Sequence, residues 1–147
     1  MPAGSKKKAS EELIHGIKPY KTKRGEEYMC EAHEDHFRAI LQAWRDELYT
    51  ETTRTVHTMQ DEASNLPDPN DRASQETDRT LELRTRDRER KLVKKIDESI
   101  AMIDSGEYGF CESCGVEIGI RRLEARPTAT LCIDCKTLSE IREKQLA

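Results

Sequence analysis

Asn65-Leu66-Pro67-Asp68-Pro69-Asn70-Asp71 interrupts what is otherwise an unbroken helical stretch. No glycine and no other proline lies between Ala32 and Ser105, so two long helices joined at this turn are expected. Before the turn, Phe37, Leu41, Trp44, Leu48, Thr52, Thr55, Met59 and Ala63 recur in steps of three and four. After it, Ala73, Thr77, Leu81, Thr85, Leu92, Ile96, Ser99 and Ile103 form a matching stripe, and Gly106 stops the second helix. Each stripe marks one helical face in need of cover, and a short turn lets the two faces cover each other only if the helices run antiparallel.

At 1.5 Å rise per residue each arm of this hairpin is roughly 50 Å long. Folding about the turn sets Phe37 level with Ile100, Trp44 with Leu92 to Ile96, and Thr52 and Thr55 beside Leu81 and Thr85. The seam is therefore expected to be apolar at the base and thin towards the tip. Parallel self-association through the same stripes is the competing arrangement. The Pro-Asp-Pro break opposes it, and a monomer is expected.

Composition agrees with an extended molecule. Hydrophobic residues make up 35% of the 147 and charged residues 37%, too little apolar mass for a broad globular core. A net charge of −4 argues against a general polyanion binder. The uncharged apolar runs are far too short to span a bilayer. Lys6-Lys7-Lys8 near the N-terminus is followed by no apolar run, so a secretory signal is not expected and a cytoplasmic location is.

The cysteines point the same way. Four of the five form two pairs, Cys111-Glu-Ser-Cys114 and Cys132-Ile-Asp-Cys135. A C-x-x-C turn aims two thiolates at one point, and two such turns supply the tetrahedral sulfur set that zinc prefers. An iron–sulfur centre or a redox dithiol is the rival reading. Four protein ligands leave no position for a water, so one structural Zn2+ is expected, stapling a segment too small to fold alone. The fifth thiol, Cys30, has His33 and His36 at three-residue spacing; a second metal site is conceivable, against the plainer reading of two histidines on a polar helix face. His15 and His57 stand alone. No nucleophile–base set and no phosphate loop is present, so an enzyme is not expected.

The fold class is thus mainly α. It comprises an N-terminal segment (1–32) packing with the head, an antiparallel coiled-coil hairpin (33–107, tip 66–72), a small four-cysteine zinc-finger head (108–135) and a short C-terminal helix (136–147). Charge is polarised along the hairpin. Asp61, Glu62, Asp68, Asp71, Glu76 and Asp78 crowd the tip, and Arg84, Arg86, Arg88, Arg90, Lys91, Lys94 and Lys95 the shaft. Asp68 also suits a helix N-cap and Asp71 the first helical turn, so capping and partner contact both remain open. A zinc-ribbon reading DNA through Arg121, Arg122 and Arg126 is an alternative that binding to bare promoter DNA as a function of salt would test. A coiled-coil scaffold with a zinc cap is another.

The Asp68-Pro-Asn-Asp71-Arg-Ala73 turn, Leu83-Arg-Thr-Arg-Asp-Arg-Glu-Arg90-Lys-Leu92, and Cys111 through Arg126-Pro127 with Cys132-Ile-Asp-Cys135-Lys136 resemble the DksA family. These are bacterial transcription factors that bind RNA polymerase without sequence-specific DNA binding. The resemblance implies that the hairpin enters the polymerase secondary channel, with Asp68, Asp71 and Ala73 near the active centre. It implies, too, that ppGpp binds at the seam with the polymerase, lined on this side by Leu92, Lys95, Arg126 and Lys136. Initiation would fall at stable-RNA promoters and rise at some amino-acid biosynthesis promoters, as in the stringent response. Those four come from separate segments, so the head must fold back against the hairpin base. The half-site is expected to have no pocket of its own.

Overall fold

The computed structural model describes residues 12–62 and 69–146, with backbone alone at 55, 56 and 58–62. Asp68 and the rest of the turn before Pro69 lie outside the described residues, as do the side chains of Thr55, Met59 and Ala63. Four helices follow in order: α1 Glu31–Glu62, α2 Pro69–Ser105, α3 Ile120–Ala125 and α4 Ile133–Leu146. The described residues contain no strand, only isolated bridges.

The helix ends follow local chemistry. Pro69 opens α2, where its missing N–H costs nothing, and Asp71 sits in the first turn. Gly106 takes φ +80 beyond the last turn. Its N–H donates to the Ile103 carbonyl at 3.2 Å, and the N–H groups of Glu107 and Tyr108 donate to that of Met102. Two of the carbonyls orphaned at the helix end are thereby satisfied.

α1 and α2 pack antiparallel. Arg38–Asp104 (2.7 Å) and Arg45–Asp97 (2.9 Å) bridge them, and Thr52 Oγ1 donates to Glu89 at 3.0 Å. Thr52 thus lies beside Glu89, about one helical turn nearer the base on α2 than the expected Thr85 and about two turns nearer than Leu81. The base is apolar as expected: Phe37, Leu41, Leu48, Ile96 and Ile103 are buried, joined by Ile40.

The distal half of α2 departs from the expected stripe. Ala73, Thr77 and Thr85 are exposed, and Leu81 is 56% exposed. The half-buried positions are instead Gln75, Arg79, Glu82, Arg86 and Glu89, in steps of four and three leading to the half-buried Val93 and the buried Ile96. A long helix cannot change the face it presents at the base, so its register there carries into the distal seam whatever the side chains are. Gln75 Nε2 and Arg86 Nε are consequently buried without a hydrogen-bond partner among the described residues. This seam is thin, as expected, and polar as well.

Tyr108, Cys111, Ile118, Leu123 and Cys132 belong to the same buried cluster as the hairpin base. The rings of Phe37 and Tyr108 have centroids 5.6 Å apart, and the Tyr108 hydroxyl donates to the Pro127 carbonyl at 2.6 Å. Head and hairpin base therefore share one core.

Residues 12–30 run over both. The Tyr28 hydroxyl donates to the Gly109 carbonyl at 2.8 Å and accepts from the Gly119 N–H at 3.0 Å. The Tyr20 N–H donates to the buried Glu124 at 3.2 Å. At Gly109, φ is +93 and an added Cβ would stand 2.8 Å from Met29 Cγ. Gly109→Ala is expected to lower stability by roughly 2–4 kcal/mol, combining left-handed strain with overpacking. Gly106→Ala, at φ +80 with nothing within 4 Å, should lose only the strain, about 1–2 kcal/mol. Thermal unfolding of the two variants checks the difference; equal losses would mean that Met29 yields freely.

Candidate metal centre and basic cavity

The two C-x-x-C turns meet between the loop after α2 and the start of α4. The N–H of Cys111 bonds the Val116 carbonyl and that of Gly115 the Cys111 carbonyl, closing the first knuckle, with Gly115 at φ +77. The N–H of Glu112 bonds the Thr130 carbonyl and brings the second knuckle alongside.

All four sulfurs lie within 4.8 Å of one another, and those of Cys114 and Cys132 are 3.7 Å apart. A tetrahedron with Zn–S bonds of about 2.3 Å has edges of about 3.8 Å, so the thiols already stand at the corners a zinc ion requires. The backbone N–H of Cys132 leads the hydrogen bonds that hold Cys111 down to about 6. Cys135 is pushed up to about 12 by the sulfurs of Cys132, Cys114 and Cys111. Four thiolates cannot share this volume without a cation between them, and a closed sulfur set makes the centre structural.

The possible second metal site divides. His33 is 3% exposed rather than on a polar face, and joins Glu26 and Cys30 in a cluster spanning 4.8 Å. His33 Nδ1 accepts the Met29 N–H at 3.1 Å, so Nε2 carries the proton and donates to Glu26 at 3.2 Å. Neither ring nitrogen has a lone pair left for a metal. The Tyr20 hydroxyl donates to the other Glu26 oxygen at 2.7 Å, which is the main cause holding that carboxyl below its usual range. His36 turns to the head instead, its Nε2 3.5 Å from the buried Glu124 carboxylate. The nitrogen has no partner of hydrogen-bond geometry among the described residues.

At the foot of α2 the head folds back on the hairpin. Lys95, Arg126 and Lys136 line one cavity of about 380 Å³, with Arg122, Glu98 and Glu112 also in its wall. The expectation of no pocket is thus corrected: residues that each offer only an edge form a concavity once the shared core fixes the head's angle. Leu92 is half-buried and outside the cavity wall. Arg122 Nε donates to the Leu131 carbonyl at 3.2 Å, which aims its guanidinium; the sequence alone offers this residue only to DNA. Its distance from Lys95 along the chain leaves no signal of their meeting. Asp71 lies exposed in the first turn of α2 and Ala73, also exposed, just beyond it, at the far end of the arm. No described helix is long and apolar enough to cross a membrane.

Comparison with known proteins matches this architecture part by part. Residues 33–103 fit the family described as DnaK suppressor protein DksA, N-terminal domain, and residues 106–140 the prokaryotic dksA/traR C4-type zinc finger. A relative in Escherichia coli K12, named RNA polymerase-binding transcription factor DksA, is 66% identical over 134 residues, covering 91% of this chain and 89% of its own. A relative of the same name in Haemophilus influenzae is 61% identical, covering 91% and 92%. The solved structure of transcription factor DksA2 from Pseudomonas aeruginosa aligns with TM-score 0.75 and 42% identity, over 80% of this chain and 90% of that one. These relatives are named as transcription factors, not as enzymes. A sulfur tetrahedron fitted for zinc, a long polar-seamed hairpin and this degree of identity agree that the chain belongs to the DksA family.

Proposed function

We propose that this protein acts in the cytoplasm as a monomer that binds RNA polymerase directly, without reading DNA sequence. Its hairpin enters the secondary channel and brings Asp68, Asp71 and Ala73 towards the active centre. Together with ppGpp it lowers initiation at stable-RNA promoters and raises it at some amino-acid biosynthesis promoters. The observation that carries the reading is the meeting of Lys95, Arg122, Arg126 and Lys136 around one cavity at the hairpin base. Lysine and arginine donors suit pyrophosphate groups, and Leu92 offers an apolar flank. Glu98 and Glu112 in the same wall oppose a polyanion, so binding stays weak until the polymerase completes the site.

A ppGpp titration of inhibition at a stable-RNA promoter tests this. Lys95→Ala should raise the midpoint about tenfold or more, since one charge-assisted contact contributes roughly 1.5–3 kcal/mol and a decade is about 1.4 kcal/mol. Activity without ppGpp should persist, because Lys95 is far from the tip. An unchanged midpoint removes Lys95 from the site, and tight ppGpp binding by the isolated protein overturns the shared site.

A further inference from the structure

The hairpin is held differently along its length. As far as Leu48 on α1 and Ile96 on α2 its seam closes over buried side chains, Phe37, Ile40, Leu41, Ser99 and Ile103 among them. Nearer the tip no described side chain of either helix is buried. The seam there takes Gln75, Arg79, Glu82, Arg86 and Glu89, while Leu81 and Leu83 turn outward, 56% and 49% exposed. Two donors in it, Gln75 Nε2 and Arg86 Nε, are shut from water with no acceptor among the described residues. The Thr52–Glu89 hydrogen bond stands at the inner end of this section. The ion pairs Arg38–Asp104 and Arg45–Asp97, which join the two helices, both lie on the base side of it.

We propose that residues 69–88 of α2 part from α1 as one cooperative unit while the base stays closed, with the Thr52–Glu89 contact as the hinge. A buried donor without an acceptor regains water when the helices separate, so parting relieves what closure costs at Gln75 and Arg86. Little apolar area opposes it, whereas parting at the base would expose Phe37, Ile40, Leu41 and Ile96. The position of Arg86 makes the event all-or-none. It lies one turn from the hinge, so a seam opened only at the tip leaves its donor orphaned, and relief comes when opening reaches the inner end. A helix released from its partner is marginal in water, which lets the backbone of this section exchange with solvent. Roughly 30 Å of the arm can thereby adjust its width and angle to a receiving cleft, while the base and the basic cavity keep their shape. None of this depends on ppGpp binding.

Amide hydrogen exchange of the zinc-loaded full chain, read by mass spectrometry of its peptides, tests the unit. In the wild type, amides of residues 73–88 should share one protection factor, about a hundredfold or more below that of residues 96–103. Methionine is close to arginine and glutamine in helix propensity, so Arg86→Met and Gln75→Met remove an orphaned donor and leave the helix itself unchanged. Either should slow exchange about tenfold across the whole of 73–88, a decade being about 1.4 kcal/mol, and leave 96–103 as it was. Arg84→Met, on the exposed face, removes the same charge and should slow nothing. Simple fraying from the tip would instead grade protection along α2, and Arg86→Met would then leave residues 73–80 untouched. That pattern overturns the unit, as does slowing by neither seam variant or equal slowing by Arg84→Met.

Discussion

Cys114→Ser is expected to release zinc and unfold the head while most of the hairpin helix survives. Cys114 is exposed, and its sulfur stands 3.7 Å from that of Cys132. Serine keeps the size but removes one thiolate corner. Apparent zinc affinities of structural sites correspond to roughly 10–16 kcal/mol. Losing one ligand in four should weaken binding by about 3–4 kcal/mol, two to three decades. Apart from the core it shares with the hairpin base, the head has little of its own to hold it: α3 is 6 residues long, and α4 buries none of its residues.

The loss should reach the hairpin base, though not the shaft. Tyr108 packs against Phe37 within the shared core, so near-ultraviolet signals from the base should weaken. Far-ultraviolet ellipticity should stay mostly intact, because α1 and α2 cover each other beyond the head. Metal analysis of reduced protein and circular dichroism before and after chelation are the measurements. Zinc well below one per chain in the wild type would contradict a structural centre. Complete loss of helix on chelation would mean that the shared core makes head and hairpin one cooperative unit.

Asp71→Asn should abolish inhibition of initiation at a stable-RNA promoter while leaving polymerase affinity near normal. This rests on the proposed placement of the tip. Asp71 lies in the first turn of α2, exposed and without an ion pair among the described residues. Its contribution to the fold is a dipole interaction of roughly 0.3–1 kcal/mol, so the variant should melt within a few degrees of the wild type. Transcription assays beside thermal unfolding for a series at Asp68, Asp71 and Ala73 separate the two roles. If inhibition falls in step with melting temperature, these residues are helix caps and the tip contact is wrong.

Elements whose cause is local were legible before any folding was considered. Proline and glycine placement set the two long helices and the end of α2 at Gly106. The two C-x-x-C pairs specified a metal set because two thiolates so spaced converge whatever surrounds them. The apolar base was legible as well, since Phe37, Leu41, Leu48, Ile96 and Ile103 are strongly hydrophobic and correctly spaced. The distal seam was set by packing between the two helices. Threonine, alanine and one leucine made a plausible stripe, but too little apolar area lay there to choose a face, and the register of the distant base chose Gln75, Arg79, Glu82, Arg86 and Glu89. His33 reads as a surface residue until the N-terminal segment covers it with Glu26 and the Met29 amide. His15 reads as isolated because Trp44, on which its ring stacks, and Glu47, which its Nδ1 meets, lie about thirty residues along the chain, and loop closure over such a span leaves no local pattern. The basic cavity depended on the angle at which a shared core holds the head against α2. Periodicity and spacing report neighbours along the chain, whereas that angle comes from packing between segments far apart in it.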